Sequence, residues 1–163
     1  MGTYKRDMLL QHKIAMTNGD CCPKNIFLLC KAYQLDLQDL NITCVFCKTA
    51  LTEAEVVSFA CKELKVVWRK QFPFAACSAC LKAAGKLRQF RYWDYSSYAP
   101  TVEYETGIPI LELFIRCYLC HAPLCTVEKE RLITEGKRFH KIAGHWRGAC
   151  LQCWTSCMAN NQP

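Results

Sequence analysis

The stretch Cys44-Val45-Phe46-Cys47 decides the fold of this chain, because three more cysteine pairs of the same spacing follow it at fixed intervals. These pairs are Cys77 and Cys80, Cys117 and Cys120, and Cys150 and Cys153. The first two pairs are separated by 29 residues, and so are the last two. Each cysteine of the second half lies 73 residues after its counterpart in the first half. The spacing therefore predicts an internal repeat.

Each repeat is predicted to contain a strand, a thiol pair, a helix, a second strand and a second thiol pair. In the first repeat, Thr52 and Glu55 form a capping-box pattern, which predicts a helix from there to about residue 64. The following sequence, 64–68, is typical of a strand. In the second repeat, the same criteria predict a helix over 127–135 and a strand over 138–142.

The cysteine spacing points to structural zinc sites. Zinc binds four ligands in a tetrahedron, and two thiolates separated by two residues can face one ion from a tight turn. A second pair completes the shell, which then has no position for water or substrate and does not catalyse. We therefore predict two zinc ions as cofactors. The predicted ligands are Cys44, Cys47, Cys77 and Cys80 for one ion, and Cys117, Cys120, Cys150 and Cys153 for the other.

The number of cysteines, 14 in 163 residues, indicates either disulfides or metal sites, and the compartment decides between them. The N-terminal sequence lacks the continuous apolar core of a secretory signal. No stretch approaches the roughly 20 apolar residues that cross a bilayer. We therefore expect a protein of the cytosol or nucleus, away from membranes, whose thiols stay free or bind metal.

Other roles for these cysteines are also weighed. Disulfides within each pair and a thioredoxin-like redox pair are two alternatives. The segment from Cys117 to His121 matches the haem-attachment pattern, but the other three pairs lack this histidine. Six cysteines lie outside the four pairs. Two of them are predicted to fill the core, Cys30 and Cys61, three are expected to be exposed, Cys21, Cys22 and Cys157, and Cys125 has no assigned role.

The formal charge of +7 invites a nucleic-acid interpretation, but metal binding reduces this charge. Eight thiolates and two zinc ions leave about +3. The basic residues are scattered and form no dense run. They are interpreted as a solvated surface or as the basic rim of a binding groove, and weak DNA binding is retained as an expectation.

The predicted fold class is α+β, with two small zinc-binding α/β domains related by the repeat and joined by a linker helix. The domains are expected at 23–80 and 100–157, with a disordered tail at 1–22 and a C-terminal tail at 158–163. The linker, 81–99, comprises this helix and an aromatic joint.

The linker helix is expected over 81–95, where apolar residues have helical spacing. Four aromatic residues near its end are predicted to form a joint between the domains: Tyr92, Trp93, Tyr95 and Tyr98. After it, 108–117 is predicted to form a strand leading to the third thiol pair. The domains and helix are expected either to enclose a groove for a short amphipathic helix or to bury these apolar residues in an interdomain core.

Several stretches of the chain resemble the papillomavirus early protein six oncoprotein family. They are ITCVFCKTALTEAEV (42–56), VVWRK (66–70), FAACSAC (74–80), IRCYLCHAPLCTVEK (115–129) and RFHKIAGHWRGACLQC (138–153). The resemblance covers about residues 23–157 and is to an alpha-like, low-risk type. It implies two zinc-binding domains joined by a helix, with no enzymatic activity.

The resemblance also implies a partner and a mode of action. Such proteins capture LxxLL helices in an interdomain pocket, and the implied partner is a host HECT-type ubiquitin ligase. The ligase is then redirected to host proteins for proteasomal degradation. The implied location is the host cytoplasm and nucleus, with effects on host transcription, apoptosis and innate immunity.

The family positions imply which residues line the peptide pocket. These are Val45, Phe46, Leu64, Val67, Arg69, Ala76, Ala84, Arg88, Arg116, His121 and His145, with Lys24 as a further rim cation. His145 stands where a well-studied branch of the family carries arginine. This difference is expected to weaken one contact with an acidic residue or to make it depend on pH.

Three departures from the family pattern change the expected partners. The chain ends in Pro163, which implies no binding to PDZ domains. About 20 N-terminal residues exceed the usual start, so Met8 and Met16 are alternative starts. Four positions lack the aromatic or acidic residues that implicate a p53-type tumour suppressor, so only a weak contact with it is expected: Ala32, Val57, Ser58 and Cys61.

Two other functions are considered beside the adapter. A zinc-dependent nucleic-acid-binding protein would lose DNA affinity steeply as salt is added. A stand-alone RING-like ubiquitin ligase would need interleaved ligands with shorter gaps, which the two spacers of 29 residues do not supply.

Overall fold

A computed structural model of the protein describes residues 22–159, and side chains up to residue 157. The predicted tails, except for a few residues at their inner ends, lie outside this part of the chain, as do Cys21, Met8, Met16 and Pro163. The chain divides between Cys80 and Leu81 into two compact units.

The first unit combines helices with a small three-stranded sheet. Its elements are α1 (Ile26–Tyr33), a 3-10 turn (Leu37–Asp39), β1 (Thr43–Cys44), α2 (Glu53–Cys61), β2 (Val67–Arg69) and β3 (Phe72–Ala75). The sheet order is β1-β3-β2, with β1 parallel to β3 and β2 antiparallel to it. The buried core of this unit includes Ile26, Leu29, Ile42, Val56 and Phe59.

The second unit repeats this plan and adds one strand. After α3 (Ser78–Tyr92), its elements are β4 (Trp93–Ser97), α4 (Ala99–Thr106), β5 (Arg116–Cys117), α5 (Thr126–Thr134), β6 (Phe139–Ile142), β7 (His145–Gly148) and α6 (Leu151–Ala159). The sheet order is β4-β6-β7-β5, with β5 parallel to β7 and the other pairs antiparallel. The buried core includes Val102, Ile115, Leu132, Phe139 and Trp146.

The internal repeat extends to the backbone. The helices α1 and α4, and likewise α2 and α5, begin and end 73 residues apart, as do the strands β3 and β7. Five pairs of residues with positive φ also match at this offset: Gln34 and Gly107, Lys48 and His121, Glu63 and Gly136, Lys70 and Ala143, and Gln71 and Gly144. Both halves of the chain therefore follow the same path through turns as well as through helices.

Local patterns placed the central helix of each unit well. The capping box is present, since the Thr52 side chain accepts from the N–H of Glu55 while the Glu55 carboxylate accepts from the N–H of Thr52. The helix α2 ends at Cys61, earlier than predicted, and the strand starts at Val67, not at residue 64. The predicted helix and strand of the second unit are each within one residue of α5 and β6.

The aromatic segment after α3 differs from the expectation of a helix to residue 95. The helix α3 ends at Tyr92, and Trp93–Ser97 forms β4, which is hydrogen-bonded to β6. The Tyr95 ring packs edge-on against Trp146, with centroids 5.6 Å apart. Pairing with β6 therefore outweighs the local helical spacing.

The predicted strand over 108–117 is mostly wrong, because only Arg116–Cys117 is a strand. The preceding residues form turns, and the buried ammonium of Lys129 binds there. Its Nζ donates to the carbonyl oxygens of Leu111 at 2.9 Å and Leu113 at 2.6 Å. These two carbonyls are thus satisfied without a neighbouring strand.

The two cysteines that were predicted to fill the core behave differently. Cys30 is buried, which confirms the prediction, whereas Cys61 is exposed at the end of α2, which contradicts it. Cys22 and Cys157 are exposed as expected. Within residues 22–159, no helix has both the length and the apolar content to cross a membrane.

Candidate metal centres

The first four-cysteine cluster is built from a knuckle after β1 and from the start of α3. Cys44 ends β1, and the chain turns tightly behind it, with a 3.0 Å hydrogen bond from the N–H of Lys48 to the Cys44 carbonyl. Lys48 has φ of 62°, which this turn requires. The Sγ atoms of all four predicted ligands lie within 4.8 Å of one another, and those of Cys47 and Cys77 are 3.8 Å apart.

The second cluster has the same construction. The N–H of His121 donates to the carbonyl of Cys117 at 3.1 Å, and His121 has φ of 64°. The Sγ atoms of Cys120 and Cys150 are 3.6 Å apart, and all four sulfurs lie within 4.8 Å of one another. The N–H of Cys153 also points at the Sγ of Cys150, at 3.4 Å.

Both clusters fit zinc. A tetrahedron of Zn–S bonds of about 2.3 Å has edges of about 3.8 Å, close to the two sulfur distances above. All eight thiols are free, so they do not form the alternative disulfides. These are the two zinc sites that the spacing predicts, with the predicted ligand sets.

The electrostatics of the clusters also call for a cation. Hydrogen bonds from the Thr49 backbone and hydroxyl lower the pKa of Cys47 to about 6. The adjacent Cys77 thiol and burial raise the pKa of Cys80 to about 12. In the second cluster, hydrogen bonds from neighbouring thiols lower the pKa of Cys117, while those thiols and burial raise that of Cys150. Without a cation, therefore, the four thiols of a cluster do not all ionise together.

The two centres differ in their exposure. In the second cluster every cysteine is buried, whereas in the first cluster Cys47 is exposed and Cys77 and Cys80 are half-buried. Water and chelators therefore reach the first set of sulfurs more easily than the second.

A glutamate in each unit orients the second thiol pair, a role that the sequence analysis did not assign. Besides capping α2, Glu55 accepts a 3.3 Å hydrogen bond from the N–H of Ser78, the first residue of α3. Glu128 likewise accepts from the N–H of Leu151, the first residue of α6, at 2.9 Å. The recurrence of glutamate at the offset of 73 was the available signal.

The comparisons with known proteins follow from this geometry. A sequence model of the family Early Protein (E6) matches residues 44–153, which include all eight ligands. The chain belongs to the papillomavirus E6 family. Protein E6 of Human papillomavirus 27 is 57% identical over 92% of this chain and 94% of its own length.

Other relatives extend the comparison. Protein E6 of Human papillomavirus 57 is 59% identical, covering 89% of this chain and 95% of its own. Protein E6 of Human papillomavirus 11 is 54% identical over 83% of this chain and 90% of its own. A solution structure of the C-terminal zinc-binding domain of HPV51 oncoprotein E6 is 43% identical, covering 42% of this chain and 90% of its own, with a TM-score of 0.37.

The positions implied for peptide binding are placed in both units. In the first unit, Phe46 and Arg69 are exposed, and Ala76 is buried. The remaining three are half-buried: Val45, Leu64 and Val67. Val45 and Phe46 lie between the first two zinc ligands, so their backbone is held by the knuckle.

In the second unit, the structure joins two of the implied residues directly. The Arg116 guanidinium donates to the carbonyl oxygen of His121 at 2.8 Å. The His121 ring nitrogen Nε2 lies 3.2 Å from the Leu81 carbonyl oxygen, and burial lowers the pKa of this histidine. The other three are placed as follows: Ala84 is half-buried, and Arg88 and His145 are exposed.

Proposed function

We propose that this member of the E6 family is a viral adapter that captures an LxxLL helix of a host HECT-type ubiquitin ligase. The ligase would then act on host proteins, which the proteasome degrades in the host cytoplasm and nucleus. The observation that carries the proposal is that exposed apolar and cationic side chains flank the ligands of two closed four-thiol sites. Such sites stabilise a fold and leave no coordination position for chemistry.

Phe46 supports an apolar contact with the leucines of a captured helix. Its side chain is 61% exposed although it lies between two zinc ligands. The backbone beneath it is held by a 2.8 Å hydrogen bond from the N–H of Val45 to the Ala75 carbonyl. An aromatic ring on a fixed backbone loses little conformational entropy when a partner covers it.

Arg116 supports a contact with an acidic residue of the same helix. Its guanidinium is oriented by the His121 carbonyl and lies 5.0 Å from the centre of the Phe114 ring. Both interactions hold the side chain before a ligand arrives. A pre-oriented guanidinium binds a carboxylate with a smaller entropic cost than a freely rotating one.

Binding of a fluorescent LxxLL peptide to the zinc-loaded chain tests the proposal. We expect Phe46→Glu to abolish binding, because it places a charge against the leucines, and Arg116→Ala to weaken it by roughly 1–3 kcal/mol. Val127→Glu is the matched control, since Val127 is 71% exposed on α5 and belongs to no proposed contact. Zinc content is measured for each variant to confirm folding.

A capture experiment from human-cell lysate tests the partner. We expect the wild-type chain and Val127→Glu to retain a HECT-type ligase that Phe46→Glu does not retain. Equal peptide binding by wild type and Phe46→Glu, or a retained set without such a ligase, would contradict the adapter.

A further inference from the structure

Two arginines face each other across neighbouring strands of the second unit. In the parallel pairing of β5 with β7, Arg116 is opposite Arg147. Directly paired residues project from the same face of a sheet, and like charges placed opposite each other destabilise it. On the other side of β7, Arg147 is opposite His140, which is neutralised by the burial that lowers its pKa.

Arg147 lies in a setting that favours an anion. Its side chain is half-buried, and burial, then Arg88 and Arg116, lower its pKa. Among residues 22–159, the two ion pairs are Arg131 with Glu135 and Lys141 with Glu105, so no carboxylate of this part of the chain neutralises Arg147.

The internal repeat provides a comparison within the same molecule. In the first unit, the equivalent cross-strand pair is Thr43 opposite Phe74, which carries no charge. That unit has the same strand pairing and the same four-thiol site. Neither the fold nor the thiolate charge of a zinc site therefore requires two arginines at this position.

We infer that Arg147, together with Arg116, forms a clamp for the carboxylate of an acidic side chain on the captured helix. Planar guanidinium groups bind carboxylates through paired hydrogen bonds, and Arg88 adds positive charge nearby. The inference rests on the proposed function and assigns Arg147 as a residue that determines specificity for acidic LxxLL peptides. Arg147 was absent from the positions implied by the family resemblance.

Peptide anisotropy with the zinc-loaded full chain tests the clamp. Two LxxLL peptides are compared, one flanked by glutamates and one in which glutamines replace them. For Arg147→Gln we expect an affinity loss of about tenfold for the acidic peptide and less than about twofold for the neutral one. Arg147→Lys keeps the charge without the planar fork, and an intermediate loss is expected. Lys137→Gln is the control with the same charge change, since Lys137 lies over the Trp154 ring instead.

The outcomes separate the inference from the function beneath it. Equal losses for both peptides, or no loss for either, would overturn the clamp while leaving peptide capture intact. Failure of the wild-type chain to bind either peptide would overturn both. Loss of zinc or a lower melting temperature in Arg147→Lys, with unchanged peptide discrimination, would instead assign the arginine to stabilising the thiolate site.

Discussion

The backbone N–H of Leu151 donates a 2.9 Å hydrogen bond to Oε1 of Glu128, which lies 23 residues earlier in the chain. The second oxygen of this carboxylate accepts from the N–H of Cys125 at 3.0 Å. One side chain thus satisfies donors at the starts of α5 and α6, two helices that are distant in sequence. Since α6 begins directly after Cys150 and carries Cys153, Glu128 also sets the position of two zinc ligands.

Glu128→Gln is therefore expected to destabilise the second unit. An amide has one acceptor oxygen, so one of the two backbone N–H groups would face an NH₂ group. We expect the free energy of unfolding of the zinc-loaded protein to fall by about 1–3 kcal/mol in urea titrations. The control is Glu130→Gln, an exposed glutamate on the same helix. Equal stability of the two variants would show that Glu128 does not hold α6.

The equivalent carboxylate in the first unit predicts a pH dependence. Hydrogen bonds, first from the Thr52 backbone, lower the pKa of Glu55 below its usual 4.5. A depressed pKa contributes stability above the unfolded pKa, and this contribution is lost as pH falls through the folded value. We expect the stability difference between wild type and Glu55→Gln to be constant from about pH 7 to 5 and to shrink below about 4.5.

Urea titrations at each pH, with both proteins measured under the same zinc concentration, give that difference. Release of zinc by acid affects both proteins and is removed by subtraction. A difference that grows as the pH falls would contradict the assignment of Glu55.

Zinc removal is expected to proceed in two steps. We expect two ions per chain by metal analysis, and a chelator should take the first from the cluster that contains the exposed Cys47. The second ion lies among four buried cysteines and should leave more slowly. Cys77→Ser should eliminate the fast phase, whereas Cys157→Ser should leave both phases unchanged. A single phase with equal rates, or one ion per chain, would contradict the two centres.

Gly85 is expected to resist substitution although it lies within α3. A Cβ atom at this position would be 2.6 Å from the carbonyl oxygens of Tyr118 and Leu119, which belong to the backbone of the zinc knuckle. Glycine to alanine ordinarily gains about 1 kcal/mol inside a helix, so a loss of stability in Gly85→Ala reverses the usual sign.

Thermal unfolding of zinc-loaded Gly85→Ala and of Ala83→Gly, at an exposed position of the same helix, checks this prediction. Ala83→Gly should show the ordinary cost of glycine, about 1 kcal/mol. A higher melting temperature for Gly85→Ala than for wild type would mean that the knuckle backbone moves freely.

Residues close together in sequence predicted their own structure well. Thr52 and Glu55 cap a helix from three positions apart, and a CxxC pair faces one ion from a single turn. The constant offset then related the two halves, so all eight ligands were correct. A short-range pattern is sufficient here because the atoms that interact belong to one turn of the chain.

Other features were decided by contacts between distant segments. Local helical spacing extended α3 to residue 95, but pairing with β6 made Trp93–Ser97 a strand. The facing of Arg116 and Arg147 likewise exists only through the register of β5 against β7. Strand register depends on hydrogen bonds and packing across the whole sheet, which no short stretch of sequence contains. Sequence alone therefore determined the repeat and its metal ligands, whereas the tertiary structure decided which charged side chains meet.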